Sequence, residues 1–236
     1  YKIKNETYSL FTRLLTKWGY EFVFNNLSKK NTGNCENSLK ISGRFFDMTD
    51  VYTITYFGDL VEFVFSKKEI KIACEIGGGF GPLSRIILNN YDCKLFSIDL
   101  PEANLLCSYY LHDSFPEKKI YLYDNYLKER KDFVSSDSIK NFDIFILPPW
   151  AKFNNELKID LFINTRSMME MNFESIKRYF HRIHRHISGD GFFLNINRYS
   201  KTYVKQKIFM NIAMKIGKPE RSINLIDYPY DNNWEV

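Results

Sequence analysis

Glu75-Ile76-Gly77-Gly78-Gly79-Phe80-Gly81 stands between an apolar run (IKIACEI, 70–76) and a helix-forming segment (82–90). A chain passing from strand to helix here must bend sharply. Bare backbone at the bend lets a ligand come close, because no Cβ blocks positive φ or contact. A dinucleotide fingerprint needs glycine at 82, where Pro82 stands, and no Gly-Lys-Ser/Thr follows to cradle a triphosphate. The pattern present is acid-x-Gly-x-Gly-x-Gly. Asp99 sits at the end of the next apolar run (KLFSIDL, 94–100), where a carboxylate accepts both hydroxyls of a ribose and holds a nucleoside at a sheet's C-terminal edge. Glu75 faces either the turn or a ligand's ammonium group.

The runs CEIGGGFG and FSIDL resemble motif I and its acidic successor in class I S-adenosylmethionine-dependent methyltransferases. Three longer segments resemble, more narrowly, the sugar O-methyltransferase family of bacterial surface-polysaccharide clusters: EIGGGFGPLSRIIL (75–88), IDLPEANLLCSYYL (98–111) and DLFINTRSMMEMNFESIKRYF (160–180). The likeness covers roughly residues 70–200. It implies that the cofactor is S-adenosyl-L-methionine, with Glu75, Gly77, Gly78 and Gly79 around its methionine part, Asp99 on the ribose and Leu100 against the adenine. Asn164 joins the cofactor contacts. The contact to the adenine edge follows the third strand of the sheet, and either 119–123 or 142–147 fits that strand. Asp124 and Asn125 are therefore candidates beside Leu147 and Pro148, and the former pair is preferred.

Methyl transfer from a sulfonium is an in-line displacement, in which the protein aligns the reactants and excludes water. A sugar hydroxyl is a weak nucleophile at neutral pH and needs a base or a metal. After the fourth strand the sequence offers Asn164, Thr165, Ser167 and Glu170. Glu170 is the candidate general base and Ser167 a candidate substrate contact; equally, Ser167-Met-Met-Glu170 reads as a capping box opening a helix over 168–187. His181 is a second candidate base, although it lies with Lys177, Arg178, Arg182, His184, Arg185 and His186 on what reads as a solvated basic helix face. Asn197, near the end of the fifth strand, points either to the acceptor or to local strand-end bonds. Pro148-Pro149-Trp150 resembles the turn with which amino-group methyltransferases grip a nucleobase or glutamine NH2. Its first residue, however, is Leu147, which cannot accept that bond. N-methylation of nucleic acid or protein stands as the alternative, with a non-catalytic cofactor-binding module as the other. No carboxylate or His/Cys cluster suggests a metal.

These residues must be positioned by a mostly parallel α/β sheet. Short apolar runs at 70–76, 94–100, 119–124, 142–147, 160–165 and 191–197 are separated, in several places, by helical segments at 82–90, 102–113 and 173–187. Ahead of them, one amphipathic helix over 6–27, a polar loop over 28–44 and a second helix after Asp50 read as an N-terminal helical cap, 1–66, on a methyltransferase domain, 67–236. A helix over 202–216 and a strand over 221–228 close the pattern. Length and composition agree: 236 residues, 44% of them hydrophobic and 17% aromatic, can bury a full core, which excludes disorder for most of the chain. A net charge of +5, from 33 basic and 28 acidic residues, is too small and too dispersed for a dedicated nucleic-acid coat. Cys35, Cys74, Cys93 and Cys107 lack metal spacing, and no run approaches the ~18 apolar residues of a membrane span. A cytoplasmic enzyme with a small-molecule or glycan substrate is expected. The chain opens on Tyr1 and not Met, which reads as part of a longer one.

Overall fold

Strands covered on both faces need apolar residues at successive positions, and the runs that meet this condition form the central sheet. The computed structural model describes residues 2–129, 132–197, 200–202 and 222–224, with side chains over 8–129 and 132–197. In chain order it contains α1 (Lys2–Trp18), α2 (Tyr20–Asn26), β1 (Leu39–Ile41), β2 (Arg44–Phe46), α3 (Met48–Leu60), β3 (Ile72–Ile76), α4 (Pro82–Asn90), β4 (Lys94–Ile98), α5 (Pro101–Ser114) and β5 (Ile120–Tyr121). There follow α6 (Tyr123–Lys128), α7 (Ser136–Asn141), β6 (Ile144–Leu147), β7 (Ile159–Thr165), α8 (Phe173–His186), β8 (Ile187–Ile196), β9 (Ser200–Thr202) and β10 (Ser222–Asn224). The expected helix over 202–216 lies outside the described residues beyond Thr202. The expected strand over 221–228 is described only as β10, which pairs antiparallel with β9.

Six strands form one sheet in the order β5-β6-β4-β3-β7-β8, every pairing parallel. From β3 the chain steps outward to β4, reaches the edge at β5, returns to fill the gap with β6, and then crosses to the other side of β3 as β7. The direction of winding therefore reverses at β3, and the crevice at its C-terminal end is where open α/β sheets take ligands. Register aligns the strand ends there: Ile76 lies opposite both Ile98 and Asn164, and Ile98 opposite Leu147. At the other end, Asp160 accepts hydrogen bonds from the Lys71 and Ile72 amides and from Lys68, fixing the starts of β3 and β7.

This order settles the third strand. β6, and not the segment at 119–123, lies beside β4, because four consecutive buried residues (Ile144–Leu147) can cover both faces of an interior position. β5 is two residues long and buries one side chain well, Tyr121, so it holds only an edge.

Alternation along the strands builds two cores. Ala73, Leu95, Ile144, Ile146, Leu161 and Ile163 face α4 and α5, and the same apolar cluster continues into Phe11, Leu14, Val23, Phe46, Ile54, Phe57 and Leu60 of the first sixty residues. Cys74, Ile76, Phe96, Phe145, Leu147 and Phe162 face α8 and the chain between β6 and β7. The N-terminal segment thus shares a core with one face of the sheet. Its helices depart from expectation in detail. Gly19, at φ +80°, breaks the single helix expected over 6–27 into α1 and α2. A hairpin of β1 and β2 occupies the end of the expected loop. α3 starts before Asp50: Asp47 accepts from the Thr49 and Asp50 amides, and the Asp50 carboxylate accepts from the Asp47 amide at 2.9 Å, a complete capping box. Among the described residues no helix is long and apolar enough to cross a membrane. All four cysteines are free, and burial pushes the Cys74, Cys93 and Cys107 thiols up to about 12, as suits inert core residues.

Candidate active site

The bend after β3 has one closed side and one open side. Gly77 and Gly79 both have positive φ, +75° and +60°. A Cβ on Gly77 would meet the Ser167 hydroxyl at 2.0 Å, and one on Gly78 would meet the Glu75 carboxyl at 2.9 Å, so the protein's own side chains fill those places. A Cβ on Gly79 would meet nothing within 4 Å. The free space lies there, next to Asp99: the Gly79 amide donates to Asp99 Oδ2 at 2.7 Å, and the Leu100 amide donates to Oδ1 at 2.7 Å. Each carboxylate oxygen is pinned once and keeps acceptor capacity for a second donor. Asp99 forms no ion pair among the described residues. Leu100, 58% exposed, extends from the same corner.

Glu75 is 2% exposed and accepts a 2.5 Å hydrogen bond from Ser84. Burial pushes its carboxyl up to about 7; the Ser84 bond pulls the other way, and the Asp99 charge adds to the rise. A buried acid poised near neutrality, one turn from bare backbone, gains from a cationic partner.

The floor on the β7 side is a closed amide network. Asn164, fully buried, donates to the Ile76 carbonyl at 2.8 Å and to Ser167 Oγ, and accepts from the Met168 amide and from Asn197 Nδ2. All four of its hydrogen-bonding positions are spent. Ser167 Oγ donates to the same Ile76 carbonyl at 3.1 Å, and Asn197 Oδ1 accepts from the Met169 amide. Asn164, expected on the cofactor, Ser167, expected on the acceptor, and Asn197, expected on the acceptor or in local strand-end bonds, tie the ends of β3, β7 and β8 together under the glycine bend. The capping box read at Ser167–Glu170 does not form. Met168–Glu170 is one 3₁₀ turn, and α8 begins later, with Asn172 accepting from the Ser175 amide as its cap. A Ser-x-x-Glu spacing cannot tell these apart, because the chain leaves β7 through Arg166 at φ +65°, which turns Ser167 inward.

Beyond Asp99, a cavity of about 440 Å3 opens between the start of α5 and the ends of β5 and β6, walled by Pro101, Leu105, Leu122, Tyr123, Pro148 and Trp150. Both stretches weighed for the adenine edge reach it, since Asp124 lines it too. Their side chains are committed unequally. Asp124 is exposed and paired with Lys128, and Asn125 accepts from the Leu122 amide at the start of α6. The residues that follow the third sheet strand are Pro148 and its neighbours. Pro148-Pro149-Trp150 therefore lies two strands from β3, ~10 Å across the sheet at ~4.8 Å per strand. The Trp150 indole donates to the Tyr123 hydroxyl at 2.9 Å.

On the other side of the bend, the N-terminal segment reaches the site. Arg166 holds its guanidinium 4.7 Å from the Tyr52 ring centroid, and the neighbouring Tyr52 and Tyr56 of α3 raise its basicity further. A non-glycine residue at positive φ beside a site is a strained element worth attention. Nothing in the sequence distinguishes it from any other exposed arginine. Glu170 is exposed on the same loop. His181 is not brought to this edge: it is exposed on α8, eight residues beyond Phe173 on a helix that runs away from it, ~12 Å at 1.5 Å per residue. No group of three His, Cys, Asp or Glu side chains able to hold a metal occurs among the described residues.

No protein-family model matches the chain, and no curated protein matches its sequence. Solved structures similar to it include the glycopeptide N-methyltransferase MtfA complexed with sinefungin, at 11% identity over 57% of this chain and 50% of that one, with a TM-score of 0.35. Others are the mitomycin 7-O-methyltransferase MmcR (14% identity, 73% of this chain and 47% of that one, TM-score 0.37) and the cyclopropane synthase MmaA2 from Mycobacterium tuberculosis (16%, 65% and 43%, TM-score 0.37). The chain spans about half the length of these proteins or less. Its own sheet order, parallel throughout with helices on both faces, is Rossmann-like and matches the class I methyltransferase fold expected from the sequence.

Proposed function

We propose that the protein binds S-adenosylmethionine along the C-terminal edge of β3, β4 and β6 and passes its methyl group to a hydroxyl on a sugar of a surface glycan or its nucleotide-linked precursor. The observation that carries the binding is the Asp99 carboxylate, held by two backbone amides with acceptor capacity to spare, beside the open side of Gly79. Asp99 takes the ribose hydroxyls, Leu100 and the 440 Å3 cavity take the base, and Glu75 takes the ammonium end. The bound group supplies an electrophilic methyl on a sulfonium. The chain's own residues align the acceptor and accept its proton. Glu170 is the base, on the loop after β7, and Arg166 with Tyr52 and Tyr56 walls the approach. The choice of a sugar rests on the IDLPEANLL and NTRSMMEM strings. N-methylation through Pro148-Pro149-Trp150 is disfavoured, because that turn stands on the base side of Asp99, two strands from the glycine bend, with its tryptophan bonded to Tyr123.

Calorimetric titration with S-adenosylmethionine and S-adenosylhomocysteine tests the reading. Both are expected to bind, and Asp99→Ala is expected to weaken each about 10–100-fold, the loss of about 1–3 kcal/mol in charge-assisted hydrogen bonds. If neither ligand binds the intact protein, the proposal fails. Labelled-methyl transfer offered in parallel to glycan extracts, DNA and protein tests the acceptor: label found only in DNA or protein removes the sugar, and no label in any arm despite tight binding leaves a cofactor-binding module.

Glu75 adds a pH signature. An ammonium ion beside it selects the ionised carboxylate, so affinity is expected to rise as pH climbs through about 7, by roughly eightfold between pH 6 and 7.5 for one group of that value. Methylthioadenosine, which lacks the amino-acid part, should show no such rise. The free protein responds in the opposite sense. A carboxyl raised from 4.5 to about 7 contributes stability that is complete below 4.5 and is lost as pH rises through 7, so the melting temperature falls over the range in which affinity grows. Equal pH profiles for the two ligands would remove Glu75 from the ammonium.

A further inference from the structure

A cavity of about 200 Å3 separates the N-terminal segment from α4, lined on one side by Ser28, Lys29, Lys30 and Arg44 and on the other by Arg85 and Asn89. Four of its lining residues are cations and none is an acid. Arg85 is only 7% exposed; its Nη2 donates to the Asn26 carbonyl at 2.8 Å, while its Nε is buried with no hydrogen-bond partner. A buried guanidinium is costly to hold unless its donors are met, and native proteins leave few such groups unmet. Arg44 spends Nη1 on the Leu27 and Asn25 carbonyls and lies over the Phe24 ring, so most of its fork is uncommitted.

The nearby acids do not balance this charge. Asp113 pairs with Lys30, at 2.9 Å, and accepts from the Thr32 hydroxyl, so its charge is already engaged. Asp50, which feels Arg85, is pushed up to about 7 by burial and by the Asp47 charge, which weakens it as a countercharge. Among the described residues Lys29, Arg44 and Arg85 form no ion pair. Arginine forks match the oxygens of a phosphate two at a time, whereas a monovalent carboxylate would leave the surplus unmet.

We infer that this cavity binds a phosphate group, held between Arg85, Arg44 and Lys29 and bridging the N-terminal segment to α4. The site is separate from the glycine bend: Arg85 lies one turn and Asn89 two turns beyond Gly81 along α4, ~6 and ~12 Å at 1.5 Å per residue. It does not depend on the cofactor reading.

Titration of the full chain with inorganic phosphate, against sodium chloride at matched ionic strength, tests the site. Saturable binding at millimolar concentration or below is expected, with a rise in melting temperature that chloride does not give and an affinity unchanged by saturating S-adenosylhomocysteine. Glycerol 3-phosphate run in parallel identifies the source: tighter binding assigns the site to phosphate monoesters, and equal or weaker binding to free phosphate. Arg85→Met is expected to lower affinity at least tenfold. Because that residue is buried, Lys29→Glu provides a surface variant that keeps the fold and should also lose at least tenfold. Phosphate no more stabilising than chloride, undiminished affinity in Lys29→Glu, or competition with S-adenosylhomocysteine would each overturn the assignment.

Discussion

Gly77→Ala is expected to abolish cofactor binding and to lower stability by about 2–5 kcal/mol, the sum of a left-handed backbone penalty and an overpacking cost. The added methyl would fall 2.0 Å from the Ser167 hydroxyl and 2.2 Å from its Cβ. Ser167 cannot simply rotate away, because its hydroxyl is held by Asn164 and donates to the Ile76 carbonyl, the residue just before the bend. Any displacement is therefore passed to the ends of β3 and β7 together. Gly79→Ala makes the contrast. Its φ of +60° carries a similar backbone penalty, but the methyl enters open space, so stability should fall by only about 1–2 kcal/mol while the ligand's place is taken. The Gly77→Ala, Ser167→Gly double variant separates the two costs: it should recover the packing part and retain the backbone part. Urea melts of the three variants, read with S-adenosylhomocysteine titration, check the scheme. Wild-type affinity in Gly77→Ala would mean that the bend is not the binding element.

The contrast between these two glycines also shows where sequence reasoning stopped. Both stand in one motif, and spacing marks them equally; only the approach of Ser167, from 90 residues further along, makes one a packing position and the other a cradle. The strands were legible because interior parallel strands must be apolar at consecutive positions, which IKIACEI, KLFSIDL and FDIFIL satisfy. Asp99 was legible for a related reason, as an acid ending such a run. The lateral order was not, since an apolar tetrapeptide and an apolar dipeptide inside a longer run look alike until their neighbours are known. Asn164, Ser167 and Asn197 were found as polar groups at strand ends, but their partners are one another and the bend, a matter of register that no local pattern carries. Arg166 was missed outright. Its conformation is held by the hydrogen bond that its backbone amide donates to the Ile196 carbonyl and by the two tyrosines of α3, none of them near it in sequence.

Loss of the capping role sharpens the case at Glu170. In a capping box the carboxylate would be bound to a backbone amide and unavailable. Here Asn172 caps α8, and Glu170 ends a 3₁₀ turn in the open, on the loop that carries Ser167 under the glycine bend and Arg166 against α3. A base that takes a proton from an attacking hydroxyl contributes ~10²–10⁴-fold to the rate. Glu170→Gln, which keeps the shape and removes the basicity, is expected to lower turnover by that factor. The dissociation constant for S-adenosylhomocysteine should stay within about twofold, and the stability within ~0.5 kcal/mol, as for an exposed substitution away from packed or bonded features. Glu170→Asp, with the same chemistry on a shorter arm, should fall between the two. Turnover measured as labelled methyl transferred per folded molecule decides the matter. If Glu170→Gln turns over like the wild type, the proton leaves by another route, and if it loses stability instead, the side chain is structural after all.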